Sequence, residues 1–537
     1  MDKNKQKFKL TIILAFIAVI IIQCGFIIYQ DCKKDGYFID EIYSYGLSNS
    51  SDKHFLNKDN MMHNKWSDKE YFSEYLSVQE GQRFNYKSVY SNQVADVHPP
   101  LYYALLHTVC SFFPNSFNKW LGESLNIIIF VVTQIFLFLL AAQVFKKNYI
   151  LSFSTILLYG GTLLAINNVT YIRMYMLLAM FAVLSYYFHY KAYVENKVLN
   201  KLPILMIVTY LGCLTQYYFL ILSFFIALCY CIALLYKKQI KNCLIYGTGM
   251  LVSVLAFYFT FPAVIEHLFG GRKVGNTTLE NAKNIGALIN NIIDYVKKAF
   301  TDIAENFAKE LIIVFILIFV VAVVFCFVNK DKFKEWLKNS VADWFIIISF
   351  VLTFAVISLV AYSTYPRYLY YIYPILALLI VMFLNVCGFI VFKSRKYVAL
   401  ILAFAIGMSC FTYIFRDTDY LYNKVYQNKL IVSEYADCEG VVFIKNYSNA
   451  VVTQEALSLM QVKEVYCTDI TNAENFDSIL EGKDVSNGVV VWIDTSKVWS
   501  SGYNSKKILE TISNNSDFDN SKRLYKYGLA EAYLVYK

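Results

Sequence analysis

Apolar runs of membrane-spanning length recur through the first 415 residues of this 537-residue chain, separated by short loops, several of them basic. A run of about 20 apolar residues crosses the hydrocarbon core as a helix, because a helix satisfies its own backbone hydrogen bonds where no water can. That pattern leaves one broad solution, a polytopic α-helical membrane protein. With 57% hydrophobic residues and only 17% charged, the chain departs from soluble composition in the same direction. Its net charge of +9 does not point to nucleic acid. The Lys and Arg residues cluster in short loops between apolar runs, where they report topology.

Met1 to Lys9 is basic and precedes an apolar run from Leu10 to Tyr29. The run is near spanning length and has no small-residue cleavage site, so it is expected to stay as a first helix with a cytoplasmic N-terminus. The first loop, residues 30–124, then lies outside. Further spans are expected at Leu125–Phe145, Tyr149–Ile166, Met174–Tyr190, Leu202–Gln216, Tyr217–Tyr236, Cys243–Pro262, Leu311–Val328, Val341–Tyr362, Tyr368–Phe392 and Tyr397–Phe415. About eleven spans result, with the C-terminus outside. Every inner segment of this arrangement carries Lys or Arg, and a shift by one span would put most of those clusters outside. Leu101–Phe113 is too short to span and reads as a helix in the outer interface, begun by Pro99-Pro100. Between Cys243–Pro262 and Leu311–Val328 a long polar segment contains Gly270-Gly271-Arg272-Lys273 and a helical pattern from Ile289 to Ala308.

Residues 1–415 therefore read as a membrane domain and 416–537 as a soluble tail. In the tail, Val441-Val442-Phe443-Ile444, Glu464-Val465-Tyr466-Cys467 and Val489-Val490-Val491-Trp492-Ile493 read as buried strands, with helical stretches near Glu455–Gln461 and Lys506–Ser513. Their alternation predicts a small C-terminal α/β layer. It carries neither a dinucleotide fingerprint nor a phosphate-binding loop. Most cysteines lie inside apolar runs and serve as small hydrophobes. Cys438 and Cys467 both fall in the tail and could pair, but without the pattern of a disulfide framework.

Four places carry residues suited to chemistry. Asp40-Glu41 follows the first span and is flanked by Ile39, Ile42, Tyr43 and Tyr45. An acidic pair at a helix exit is usually just solvated, but a carboxylate against an apolar, aromatic surface can serve as a base. Asp96-Val97-His98-Pro99-Pro100 is the second place, ordinary as a helix start. Arg173 and Arg367 each stand at the outer end of an expected span. One such arginine is an interfacial anchor, whereas two on the side of the acidic pair offer a clamp for phosphate. Gln216-Tyr217-Tyr218, at another outer turn, would line the same cavity.

Together these motifs resemble the GT-C superfamily of membrane glycosyltransferases, and within it glycosyltransferase family 39, which includes protein O-mannosyltransferases and aminoarabinose lipid A transferases. The resemblance rests on Asp40-Glu41, His98-Pro99-Pro100-Leu101-Tyr102-Tyr103, Arg173-Met174-Tyr175, Leu214-Thr215-Gln216-Tyr217-Tyr218, and Arg367-Tyr368 followed by Pro374. It covers roughly the first 400 residues. The family often has His where Gln216 stands. The resemblance implies transfer of a sugar from a polyprenyl-phosphate donor to an extracytoplasmic acceptor, which is a protein, a wall polymer or a glycolipid. It implies Asp40 as base with Glu41 beside it, and Arg173, Arg367 and His98 at the donor phosphate. Tyr43, Asp96, Tyr102, Tyr175, Gln216, Tyr217 and Tyr368 would line the cavity. Some superfamily members use a divalent metal, but the sequence shows too few clustered ligands to assign one. The rival reading is a transporter or flippase of lipid-linked sugars. Transporters usually carry ionisable residues mid-span and internal repeats, and neither is visible here.

Overall fold

The computed structural model describes residues 3–51, 53–57, 61–270, 290, 293–294, 297, 341–360, 366–392, 396–418, 423–445, 449–496 and 504–537. The expected span Leu311–Val328, residues 271–273 and most of the pattern between Ile289 and Ala308 lie outside them. In chain order the first elements are α1 (Lys3–Lys33), α2 (Ile39–Asn49), β1 (Lys65–Asp68), α3 (Lys69–Leu76), α4 (Tyr86–Ala95) and α5 (Leu101–Ser111). The bundle continues with α6 (Lys119–Val144), α7 (Tyr149–Gly160), α8 (Leu163–Thr170), α9 (Tyr175–Val194), α10 (Val198–Cys213), α11 (Tyr218–Tyr236), α12 (Ile240–Thr260) and α13 (Val264–Phe269). After residue 340 come α14 (Val341–Val360), α15 (Tyr373–Val391) and α16 (Tyr397–Phe415). The tail holds α17 (Asn423–Ser433), β2 (Glu439–Ile444), α18 (Asn449–Leu459), β3 (Glu464–Asp469), β4 (Val489–Asp494), α19 (Ser505–Asn515), β5 (Asn520–Tyr527) and β6 (Ala530–Tyr536).

Among the described residues, α1, α6, α11, α12, α14, α15 and α16 are long and apolar enough to cross a membrane. The chain is an integral membrane protein of many spans. The expected span Tyr149–Ile166 is broken, with α7 and α8 meeting at 58°. Met174–Tyr190 appears as α9, whose tyrosines, His189 and Lys191 dilute its apolar character. Leu202–Gln216 appears as α10, which has 16 residues and an internal Pro203. Tyr368–Phe392 appears as a 3-10 segment, Pro366–Ile372, running into α15, and every other expected span within the described residues coincides with one helix. The expected interfacial helix is α5, 11 residues long.

By its internal contacts the chain divides into two compact units. The first comprises Met1–Gln30, Val97–Tyr102 and Glu123–Thr418. Where α7 breaks, backbone bonds continue only as far as Gly161 N–H to Leu157 O (2.8 Å) and Thr162 N–H to Tyr159 O (3.1 Å). Side chains from three helices add bonds to its last carbonyls, where lipid offers none. Ile156 O accepts from Gln23 Nε2 (2.9 Å) and Gln134 Nε2 (3.1 Å). Ser409 Oγ donates to Leu157 O (2.9 Å), and Tyr413 OH to Gly160 O (3.0 Å). Gly160 permits this approach, since a Cβ there would meet both glutamine amides at 2.4 Å. Further along the bundle, His189 Nε2 pairs with Tyr246 OH (2.7 Å) and Tyr190 OH donates to Asp343 Oδ1 (3.0 Å). Such interhelical hydrogen bonds hold helices together where lipid offers no hydrophobic drive.

The second unit comprises Asp31–Asp96, Tyr103–Gly122 and Asp419–Lys537. Its centre is a six-stranded sheet in the order β1-β3-β2-β4-β6-β5. The three expected strands are β2, β3 and β4, and they run parallel. Both β2 and β4 are buried along their whole length, which accounts for their continuous apolar runs. Val441, Phe443, Val491 and Ile493 pack one face against Phe476, Ile508, Ile512 and Phe518. The hairpin β5–β6 adds two antiparallel strands beside β4. On the opposite edge, β1 comes from the first loop. Trp66 stands against Tyr466 and Asp68 against Glu464, antiparallel to β3. Asn64 extends this seam, with its N–H donating to Cys467 O (2.8 Å) and its Oδ1 accepting from Thr468 Oγ1 (2.7 Å). Tail and first loop therefore form one unit. Cys438 and Cys467 are both free thiols.

Under the sheet, α18 buries Glu455, 2% exposed. Tyr525 OH donates to Glu455 Oε2 (2.7 Å) while accepting from Trp492 Nε1 (2.8 Å), and Gln454 Nε2 donates to Glu455 Oε1 (2.9 Å). Burial pushes this carboxyl above its ordinary range despite those bonds. An acid whose folded pKa is raised costs stability once the unfolded chain ionises. Stability from this site is therefore greatest below the ordinary Glu pKa and falls as pH rises from there to the raised value. Glu455→Gln keeps an acceptor for Tyr525 and removes the ionisation. Thermal unfolding of the full chain should show the variant gaining on the parent as pH rises from 4 to 7, and no such gain would refute the assignment.

Candidate functional site

Asp40, Glu41, Tyr43 and Asp96 belong to the second unit. α2 starts directly after Phe38, and the Phe38 N–H donates to Glu41 Oε2 (2.7 Å). This is the reaching-back half of a capping box, in which the third helical residue satisfies an orphan donor at the helix start. Glu41 Oε1 meets Lys34 Nζ at 2.6 Å, and both side chains are essentially sealed from solvent. Both oxygens of Glu41 are thus engaged in holding the turn between α1 and α2. Lys119, the first residue of α6, donates to the carbonyls of Asp31 and Lys34 and fastens the same turn.

Asp40 is half-buried. Adjacent residues on a helix point about 100° apart, so the two acids face different surroundings. Asp40 is the one not enclosed. The rest of α2 is held by its neighbours. Asn92 Nδ2 donates to Leu47 O (3.2 Å) and Ser50 O (2.8 Å), and Asn49 Nδ2 to Leu76 O (2.8 Å). Gly46 lets Tyr75 lie on the helix backbone, since a Cβ there would stand 1.9 Å from its ring. Tyr43 is half-buried, with its ring edge-on to Phe55 at 5.6 Å. Asp96 caps the C-terminus of α4 through its N–H to Asn92 O (2.9 Å).

His98, Tyr102, Arg173, Tyr175, Gln216, Tyr217, Arg367 and Tyr368 belong to the first unit, and a chain of contacts joins most of them. The link is Tyr171, fully buried in the break between α8 and α9. Its hydroxyl accepts from Arg367 Nη1 (3.0 Å), and its carbonyl accepts the Arg173 N–H (2.7 Å). The Arg367 guanidinium thus reaches a tyrosine 196 positions earlier, and the same tyrosine holds the backbone of Arg173. Asn126 fixes that tyrosine, with Nδ2 donating to Tyr171 O (3.0 Å) and Val169 O (3.0 Å) while Oδ1 accepts from Tyr102 OH (3.2 Å).

Aromatic rings complete the first-unit cluster. Tyr171 stacks on Tyr175 with centroids 6.1 Å apart and planes 10° apart. Tyr175 meets Tyr368 edge-on at 6.5 Å, and Tyr368 meets Tyr218 at 5.5 Å. Gln216 Oε1 accepts the Tyr218 N–H (2.6 Å), so this glutamine caps the turn into α11. Tyr217 OH pairs with His267 Nδ1 (2.7 Å). Leu101 N–H donates to Leu214 O (3.0 Å) and ties the residues after His98-Pro99-Pro100 to the turn that holds Gln216. His98 itself is half-buried.

Arg173 is 6% exposed and stands two residues before α9 begins. A helix N-terminus presents unpaired N–H groups and a partial positive charge, and no acid occupies the first turn of α9. Guanidinium and helix end together suit an anion of phosphate geometry. Among the described residues, no three of His, Cys, Asp and Glu converge as metal ligands. Sequence reasoning did not single out Lys34, Asn126, Tyr171 or His267. Tyr171 lies two residues before Arg173, but its bond with Arg367 is invisible locally.

No family model matches the chain, and no curated protein matches it. Solved structures do. The crystal structure of ArnT from Cupriavidus metallidurans bound to undecaprenyl phosphate aligns over 97% of this chain and 97% of that one, at a TM-score of 0.52 and 8% identity. The same protein in the apo state aligns at a TM-score of 0.48. The chain has the ArnT-like fold.

The buried pair gives a stability test. Removing one partner of a buried ion pair leaves a charge without compensation, at a cost of about 3–5 kcal/mol. Lys34→Met should therefore lower the thermal stability of the full chain strongly. Adding Glu41→Gln should restore most of it, since the amide still accepts from Phe38 and carries no charge. Equal stability of the single variant and the parent would show that the pair is dispensable.

Proposed function

We propose that this protein is a membrane glycosyltransferase that takes its sugar from a polyprenyl-phosphate donor and passes it to an acceptor on the extracytoplasmic side. The observation that carries the reading is the bond from the Arg367 guanidinium to the hydroxyl of Tyr171, two residues before the buried Arg173 and close before the N-terminus of α9. Likeness of the whole chain to a fold whose crystal structure holds undecaprenyl phosphate adds to it. The acidic pair on α2 supplies the other half of the chemistry.

In the reaction, the acceptor hydroxyl oxygen attacks the anomeric carbon of the donor sugar. Asp40 takes the hydroxyl proton as the new C–O bond forms. The bond from the anomeric carbon to the phosphate oxygen breaks, and its electron pair leaves with the polyprenyl phosphate. Arg173, Arg367 and His98 stabilise the charge that grows on that phosphate. A single displacement inverts the anomeric centre. Glu41 serves by positioning, because its oxygens are already committed to Lys34 and Phe38. Tyr43, Asp96, Tyr102, Tyr175, Gln216, Tyr217 and Tyr368 line the substrate space. The N-terminus is cytoplasmic, and the first loop and tail are extracytoplasmic, consistent with the basic inner loops.

Reconstituted protein with a polyprenyl-phosphate sugar tests this reading. Asp40→Asn should reduce turnover by about 10²–10⁴-fold, the usual contribution of a general base, and leave donor binding intact. Arg173→Ala and Arg367→Ala should each weaken binding of undecaprenyl phosphate about 10- to 100-fold, the worth of a charge-assisted hydrogen bond. Unchanged turnover in the Asp40 variant would remove it as base. Unchanged lipid-phosphate affinity in both arginine variants would remove the clamp.

A further inference from the structure

We infer that the second unit carries a binding site for a short oligosaccharide, on the face of its sheet opposite the core around Phe476. Residues along β6 alternate between the two faces. Val535 joins that core, so Leu534 and Tyr536 stand on the other face. Lys522 of β5 pairs with Leu534 and adds its side chain to the same row. Beside the row lies the turn 485–487, which leads into β4. Row and turn bound an open cavity of about 600 Å³, whose lining includes Ser486, Asn487, Lys522, Leu534, Tyr536 and Lys537. That size falls in the range of clefts that hold small ligands.

The turn is built to lie close against the strand. Gly488 has a φ of +85°, in the left-handed region that suits glycine, and a Cβ there would stand 2.8 Å from Val535 O and 3.1 Å from Leu534 Cδ1. Asp484 Oδ1 holds the turn by accepting from the Ser486 N–H (3.1 Å) and Oγ (2.7 Å). Cys438 Sγ donates to Asn487 O (3.3 Å). The backbone of the wall is thus fixed. Its Asn487 amide is exposed and makes no bond to the described residues, and the same is true of the Lys522 ammonium and the Tyr536 hydroxyl. Tyr536 is 40% exposed.

These groups select the ligand class. A sugar ring offers an apolar C–H face and a rim of hydroxyls. Tyr536 and Leu534 suit the face. The Asn487 amide, which both donates and accepts, and the Lys522 ammonium suit the hydroxyls. A polyanion fits poorly, because Lys537 is already paired with Asp517 (2.9 Å) and Asp484 stands in the wall, which leaves Lys522 alone among the lining cations. A peptide cannot add as a strand here, since β6 is bonded to β4 on one side and to β5 on the other. The inference concerns binding and does not depend on the proposed transfer reaction.

The full chain in lipid nanodiscs, fluorescently labelled, is applied to an array of neutral di- to tetrasaccharides with polyphosphate printed beside them, and the strongest sugar ligand is then titrated in solution. The parent should bind at least one sugar. Tyr536→Ala and Asn487→Ala should each weaken that binding about 10-fold, the worth of one stacked ring or one hydrogen bond. Tyr536→Phe should keep most of the affinity. Lys506→Ala on α19, which packs on the opposite face, should change nothing. Positions 487 and 536 are exposed, so thermal unfolding of all variants should match the parent. Failure to bind any sugar, binding that survives both alanine variants, or tighter binding of polyphosphate than of every sugar would each overturn the inference.

Discussion

A charge removed from water must find its counter-charge, and in this protein that demand sets the start of the first loop. Lys34 follows a span and Glu41 opens the next helix, and neither side chain retains appreciable contact with solvent. Each makes the other tolerable. The pairing fixes the turn after α1, the capping bond to Phe38 fixes where α2 begins, and Lys119 adds the start of α6 to the same knot. Asp40 inherits its position from this arrangement. The residue beside the proposed base is thus best understood as the part that holds it still.

The first unit meets a similar demand with uncharged groups. Where a span breaks at Gly161, Gln23, Gln134, Ser409 and Tyr413 add side-chain bonds to the last carbonyls before the break. The break delivers α8 and the turn after it, and that turn carries Tyr171 and Arg173. Backbone that would be costly in lipid is kept where other helices enclose it. Here it presents a guanidinium beside a helix end.

Much of this was legible in the sequence because the signals are dense. Long apolar runs announce spans, and the fully buried β2 and β4 announce themselves by continuous runs of Val, Ile and aromatic residues. Other features have no local signature. β1 is Lys-Trp-Ser-Asp, four mostly polar residues that become a strand only against β3. β5 is largely exposed and charged, so its alternation does not resemble a core strand. The break in the α7–α8 span sits in an apolar stretch that reads as continuous. Arg173 and Arg367 could be suspected as a pair from their positions, but the bond from Arg367 to the Tyr171 hydroxyl could not, because 196 positions separate the two. The burial of Glu41 was equally hidden, since burial depends on Lys34 folding back to it.

The seam between β1 and β3 has a consequence for biogenesis. Residues 65–68 leave the ribosome roughly 400 positions ahead of the strand they pair with. Long-range pairing of this kind is slow, since the intervening chain must be ordered first. Until the tail is synthesised and delivered to the same side of the membrane, the first loop has an open edge. Closure of that edge requires an even number of membrane crossings between the two strands. The sheet thereby works as a completion lock, and a chain that skips one span leaves its two halves on opposite faces of the bilayer.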